Sequence, residues 1–284
     1  MEQLREQWLF LTFVVTLGAV ALTAAIHHSW LRGNAFDQVP PRRAGLTVMD
    51  VLIAMVAFLG GGLLLEPVLN RMGMSLAEPA NLTVLQIATM ALVSQALTQL
   101  PAALVVTGAS LSRVGNLREL GLPLRVEARH LTAGLIALVV AVPIVMGTTV
   151  IMQIVTALLG QEVPTVGHDM LQALVESEDA LASAMMIASA VIVAPLLEEI
   201  VFRGLLQTVF LEAISWAARW PAILAAAALF AAVHGGVAAP QALPGLFTLG
   251  VVLGWLYERY NSLWPSIVLH MGFNALNILL ATAA

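Results

Sequence analysis

Glu198 and Glu199 stand side by side in an otherwise mostly apolar stretch from about Met186 to Leu211, with Arg203 four residues further on. A run of that length can cross a bilayer, and ionisable groups at such depth are costly enough to be read as functional. Glu199 and Arg203, four apart with the acid on the N-terminal side, share a helical face and can pair. Glu198 lies about 100° round the helix and has no local counter-charge. Two further polar motifs follow at depth: His234, ending Phe230-Ala-Ala-Val-His234 ahead of a glycine pair, and His270 with Asn274, four residues apart in the last apolar run. A carboxylate, two histidines and an asparagine form an inventory for hydrolysis. Glu198 with His234 could hold and deprotonate a water, while His270 and Asn274 could donate to the oxyanion on a scissile carbonyl. The same atoms allow a metal variant, with Glu198, His234 and His270 as zinc ligands and one open position for water. The HExxH pattern of zincins is absent from the sequence. Plainer readings exist for each motif. A histidine beside Gly235-Gly236 can satisfy the carbonyls of a helix C-terminus, and a His/Asn pair can bond to a neighbouring helix.

The elements that must position these groups are membrane helices. Of 284 residues, 60% are hydrophobic and 10% charged, and mean hydropathy is +0.93, where a soluble domain would have about 25% charged. The chain therefore reads as an all-α, polytopic membrane protein. A formal net charge of −5 leaves no basic face for nucleic acid. With no cysteine, thiol catalysis, disulfides and Cys-ligated zinc are excluded. Eight apolar runs predict eight spans: Trp8 to Ile26, Val48–Leu69, Leu82–Val106, Leu131–Leu159, Met186–Leu211, Pro221–His234, Ala242–Tyr257 and Leu263–Leu280. By helical rise, Glu198 and His234 lie about 20 Å, and His270 about 10 Å, from the same membrane face. One shared cavity can hold all three.

All twelve basic residues are arginine, a sign of a GC-rich bacterial genome and hence of a cytoplasmic (inner) membrane location. Nine fall in alternate loops (Arg32, Arg42, Arg43; Arg113, Arg118, Arg125, Arg129; Arg219; Arg259), and only Arg5 and Arg71 on the other side. The positive-inside rule then places both termini outside. The loop at 111–130 is the natural seam, dividing three accessory N-terminal helices (1–110) from a catalytic core (131–284). Gln86, Gln95 and Gln99 read as amides at a helix interface. Asp50 and Glu66 lie near span ends, where charge can reach water. Gly245, Gly250 and Gly254 suggest close helix contacts, and the acidic stretch Gly167–Asp179 a short surface helix.

Taken together, Glu198-Glu-Ile-Val-Phe-Arg203, Phe230-Ala-Ala-Val-His234 and His270-Met-Gly-Phe-Asn274 resemble the EExxxR, FxxxH and HxxxN motifs of the CAAX protease and bacteriocin-processing (CPBP, or Abi) family. The similarity runs from about Met186 to Leu280. It implies an intramembrane endopeptidase in which Glu198 is the essential glutamate, Glu199 and Arg203 its supporting pair, and Phe230 part of the second motif. His234 would share the activated water, and His270 and Asn274 would serve the oxyanion. The resemblance leaves open a metallo- or glutamate-type mechanism. It implies a peptide or membrane-protein substrate, prenylated at a CAAX terminus or not, and leaves oligomeric state open. Two other classes fit an intramembrane Glu/His cluster: a proton-coupled transporter and a non-catalytic immunity or scaffold protein.

Overall fold

The computed structural model describes residues 2–27, 33–75, 82–160, 173–174, 177–215 and 219–283. Within them the protein is all helical, and each apolar run falls in one long helix: α1 (Glu2–His27), α2 (Val48–Arg71), α3 (Val84–Val114), α4 (Ala128–Leu158), α5 (Ala180–Ile214), α6 (Arg219–Val233), α7 (Leu243–Tyr260) and α8 (Trp264–Thr282). Among the described residues, α2, α3, α4, α5 and α8 are long and apolar enough to cross a membrane. The protein is thus an integral membrane protein. The sequence-based count of eight spans is finer than this. With 15 residues, α6 reaches only about 22 Å against a hydrocarbon layer of about 30 Å, and it ends in a short 3₁₀ turn at His234–Gly236. The expected surface helix at Gly167–Asp179 lies largely outside the described residues.

Contacts at one end of the bundle show how the helices alternate. Arg42, between α1 and α2, reaches the C-terminal end of α7 through Tyr257, Glu258 and Asn261. Arg219 at the start of α6 donates to the Val39 carbonyl (2.6 Å). Arg113 near the end of α3 pairs with Asp50 at the start of α2, and Leu263 N–H bonds to Gly121 O (2.8 Å), tying α8 to the 115–127 loop. This arginine-rich end therefore gathers the starts of α2, α6 and α8 with the ends of α3 and α7. Asp50, expected to reach water, is instead buried, because Arg113 folds over it. Gln86, expected at an interface, caps α3: its Oε1 accepts Thr83 N–H (2.8 Å) while Thr83 Oγ1 accepts Gln86 N–H.

Prolines decide where the helices that build the site deform. Pro101 has no N–H to offer Leu97, and α3 breaks at Thr98. Gly61 of α2 packs on the Leu97 carbonyl so closely that any Cβ there would overlap it. The break sits beside Gln99. In α5, π-wound turns at Ser189–Val193 and Ile200–Gln207 flank a short α segment, Ala194–Glu199, that begins with Pro195 at its second position. Such π turns recur at functional sites, because the wider ring re-aims side chains and loosens carbonyls. Gly250, expected at a close helix contact, meets Ala227 of α6, where an added Cβ would come within 3.0 Å of the Ala227 side chain.

Candidate active site

Glu198 and Glu199, at the end of that α segment, diverge. Glu199 is fully buried, and its Oε1 accepts from Arg203 Nη1 (3.1 Å) and His270 Nδ1 (3.0 Å). Arg203, also fully buried, extends its other nitrogen to the Gly250 carbonyl (3.1 Å), a reach that the small residues at the α6–α7 contact permit. The expected pairing of Glu199 with Arg203 is present, and Glu198 is left to face the histidines. Its Oε2 lies 3.9 Å from His234 Nε2 and 3.9 Å from His270 Nε2. Its Oε1 accepts from Gln99 Nε2 (3.4 Å).

Each histidine is oriented through its other ring nitrogen. His234 Nδ1 lies 2.7 Å from the Phe230 carbonyl, which can only accept, so Nδ1 carries a proton and Nε2 is the nitrogen turned toward Glu198. The carboxylate of Glu199 fixes His270 in the same way. Phe230, fully buried, is the hub of the cluster. Its ring lies 4.7 Å from that of His234 and 5.7 Å from that of His270, edge-on to Phe202 at 5.3 Å, with the Arg203 guanidinium 4.7 Å from its centroid. A cation over an aromatic face is attracted by the ring quadrupole, which adds to the Glu199 ion pair in keeping Arg203 charged inside the bundle.

Asn274 is placed differently from the other motif residues. Its Nδ2 donates to the Ala190 carbonyl at 2.8 Å. In the π register this carbonyl would be reached from five positions on, as Ser189 O is by Ala194 N–H; for Ala190 that position is Pro195, which has no N–H. Asn274 supplies the missing donor, leaving its second amide hydrogen for another acceptor.

Gln99 is the site residue that sequence reasoning passed over, having been taken for an interface amide. The signal was present: two glutamines four residues apart, Gln95 and Gln99, just before a helix-breaking proline in an apolar run. Gln95 Nε2 lies 3.4 Å from the Ser189 carbonyl, so both amides face α5. The site opens into a cavity of about 960 Å³ whose lining includes Gln99, Glu198, Phe230, His234, His270 and Asn274. Helices α2 and α3 form part of its wall, so the N-terminal helices help to build the chamber.

Zinc at its usual bond lengths holds neighbouring tetrahedral ligands about 3.4 Å apart. Both Glu198–histidine gaps are 3.9 Å. Among the described residues no group of three or more His, Asp or Glu side chains is gathered closely enough to hold a metal ion. Zinc held by Glu198, His234 and His270 would need the carboxylate drawn inward by about half an ångström. One water fits these gaps, since two hydrogen bonds of about 2.8 Å meeting near 90° span such a distance.

No curated protein and no solved structure matches the chain. Residues 180–276, running from the start of α5 to within α8, match the type II CAAX prenyl endopeptidase Rce1-like family. All three motifs of the cluster lie inside that stretch, so over this part of its length the chain is similar to the CAAX protease (CPBP) family.

Proposed function

We propose that the protein is an intramembrane endopeptidase in which Glu198 and His234 activate a water for attack on a peptide bond. The observation that carries this reading is one carboxylate with no arginine partner among the described residues, facing two oriented Nε2 atoms at 3.9 Å inside a cavity. A water bridging Glu198 Oε2 and His234 Nε2 gives its proton to Glu198 as its oxygen attacks the carbonyl carbon. The oxyanion that forms takes hydrogen bonds from His270 and from the second amide hydrogen of Asn274. For His270 this role requires a proton on Nε2 while Nδ1 faces the Glu199 carboxylate at 3.0 Å. The intermediate collapses, the C–N bond breaks, and the leaving amine takes the proton held by Glu198. Substrates are peptides or membrane proteins presented within the bilayer of a bacterial cytoplasmic membrane. The arginine-rich end faces the cytoplasm, and both termini lie outside.

The test is cleavage of a membrane-peptide library by the purified protein and its Glu198→Gln and His234→Ala variants. Loss of at least about a thousandfold for Glu198→Gln, with the fold intact, is expected of a general base. Activity surviving that substitution would sink the mechanism. Metal content and activity in chelator are measured alongside. Activity lost to chelator and restored by zinc would make Glu198, His234 and His270 ligands, with the carboxylate drawn inward.

A further inference from the structure

Glu198 is supported from outside its own motif by an amide on α3, and that support is sensitive to position. Gln99 Nε2 stands 3.4 Å from Glu198 Oε1, near the outer limit of a hydrogen bond, so a displacement of about 0.5 Å would lose it. One turn earlier, Gln95 Nε2 lies 3.4 Å from the Ser189 carbonyl. A carbonyl and a carboxylate only accept, so each amide turns its nitrogen to α5. The two donors are four residues apart on α3 and the two acceptors nine apart on α5, about 6 Å of regular helical rise against about 13 Å. The lean of the Glu198 side chain toward the start of α5 closes part of that difference. The remainder calls for an irregular turn of α3, and α3 has one at Thr98, directly before Gln99.

Two residues make that turn. Pro101 has no N–H to return to the Leu97 carbonyl, so the α-helical ladder is interrupted there. Gly61 of α2 seats the carbonyl: its α-hydrogen, standing where a side chain would begin, points at Leu97 O. A Cβ in that place would lie 1.7 Å from Leu97 O and 3.1 Å from Thr98 N. Carbon and carbonyl oxygen come no closer than about 3.3 Å in favourable contact, so an alanine would part α2 and α3 by about 1.5 Å here. That exceeds what the Gln99 bond tolerates. The requirement is confined to one residue, because Gly60 and Gly62 meet no described atom outside their own helix within 4 Å of an added Cβ. At the arginine-rich end the same two helices are held by Asp50 and Arg113, so the Gly61 contact fixes the place of Thr98 along an existing helix pair.

We propose that Gly61 and Pro101 are positioning residues for the reaction: together they open α3 at Thr98 and hold Gln99 against Glu198. The N-terminal helices, outside the family-matched residues 180–276, thereby orient the carboxylate that activates water. The effect on rate rests on the endopeptidase reading above; the coupling of Gly61 to the Gln99–Glu198 bond does not.

The test is a double-mutant cycle on the full-length protein in lipid vesicles, pairing Gly61→Ala with Gln99→Ala. It reads kcat and KM on a peptide cleaved from the membrane-peptide library, and the thermal unfolding midpoint. Gly61→Ala alone should lower kcat about tenfold, as Gln99→Ala does, with KM within about twofold of wild type. The double variant should lose no more than either single one, because both remove the same hydrogen bond. Losses that multiply to about a hundredfold, or a change confined to KM, would overturn the proposal, since helices that merely reshape the cavity wall do not act through Gln99. Gly60→Ala and Gly62→Ala should leave kcat unchanged, and an equal loss in either would count against Gly61 as well. If Gly61→Ala does not fold, Pro101→Ala takes its place in the cycle. Restoring the N–H should regularise α3 and lower kcat without lowering the unfolding midpoint, and full activity would overturn the proposal. The midpoints need no substrate: Gln99→Ala should lower the midpoint of the wild type and leave that of Gly61→Ala unchanged. Such coupling with no hydrolysis by the wild-type protein would refute the protease reading and leave this inference standing; hydrolysis with no coupling in either readout would do the reverse.

Discussion

Two buried clusters of charge among the described residues differ in what they leave without an arginine partner. At the arginine-rich end, Glu258 is enclosed by Arg42, Gln207 and Arg219, with the Arg42 guanidinium 3.7 Å over the Tyr257 ring. Burial works against the charge on Arg42, but Glu258, Tyr257 and Glu212 together outweigh it and hold the guanidinium above its ordinary range. In the interior, Glu199 and Arg203 form an equally buried pair. That pair is continued by His270, and beside it Glu198 keeps a carboxylate that no arginine meets among the described residues. A buried ion pair therefore does not by itself mark a catalytic centre. The first cluster joins the loop ahead of α2 to α5, α6 and α7; the second passes its charge on to a cavity.

The comparison is broken or sharpened by removing one carboxylate from each cluster. Glu258→Gln and Glu199→Gln should each destabilise the protein by about 3–5 kcal/mol, because a buried arginine loses its partner. Only Glu199→Gln should also cut the specific activity of the folded fraction, by about a hundredfold. Thermal unfolding combined with initial rates per folded molecule separates the two, and equal activity losses would erase the distinction. Phe230→Ala should cost about 3 kcal/mol or more and uncouple both histidines. Phe230→Leu should recover much of that stability without recovering the rate. Asn274→Ala leaves the Ala190 carbonyl without a donor and should cost about 1–3 kcal/mol. If Asn274→Asp matched the wild type in unfolding experiments, that hydrogen bond would not be holding the π turn. The smallest contrast lies within α3. Gln86→Ala should lose about 0.5–1 kcal/mol of capping with no change in rate, whereas Gln99→Ala should lower turnover about tenfold through its bond to the charged Glu198.

Much of the site was legible because the membrane makes ionisable groups conspicuous. Glu198, Glu199, Arg203, His234 and His270 stand out against apolar sequence, and helical spacing alone paired Glu199 with Arg203. Arg42 and Glu258 were invisible by the same logic. They lie near the ends of apolar runs, where charge is ordinary, and only the packing of four distant segments buries them. Gln99 was misread because a neutral amide is cheap at any helix interface, and its carboxylate partner is 99 residues away. The distinct position of Asn274 depended on a π-wound turn, which periodicity of 3.6 residues cannot anticipate.

The sequence by itself determined an all-helical membrane chain, the apolar runs that became its helices, the polar residues placed at depth, and the split between a Glu199 paired with Arg203 and a Glu198 left without a counter-charge on its own helix. These follow from composition and from spacing along one helix, both local properties. Tertiary structure decided the rest. It brought two Nε2 atoms to the same carboxylate oxygen, enlisted Gln99 from a helix outside the family motifs, gave Asn274 to a carbonyl freed by Pro195, and opened the cluster into a cavity walled in part by α2 and α3. Each of these depends on which helices meet and at what height, and that is settled by small residues at close crossings and by prolines that break the regular winding, not by hydropathy.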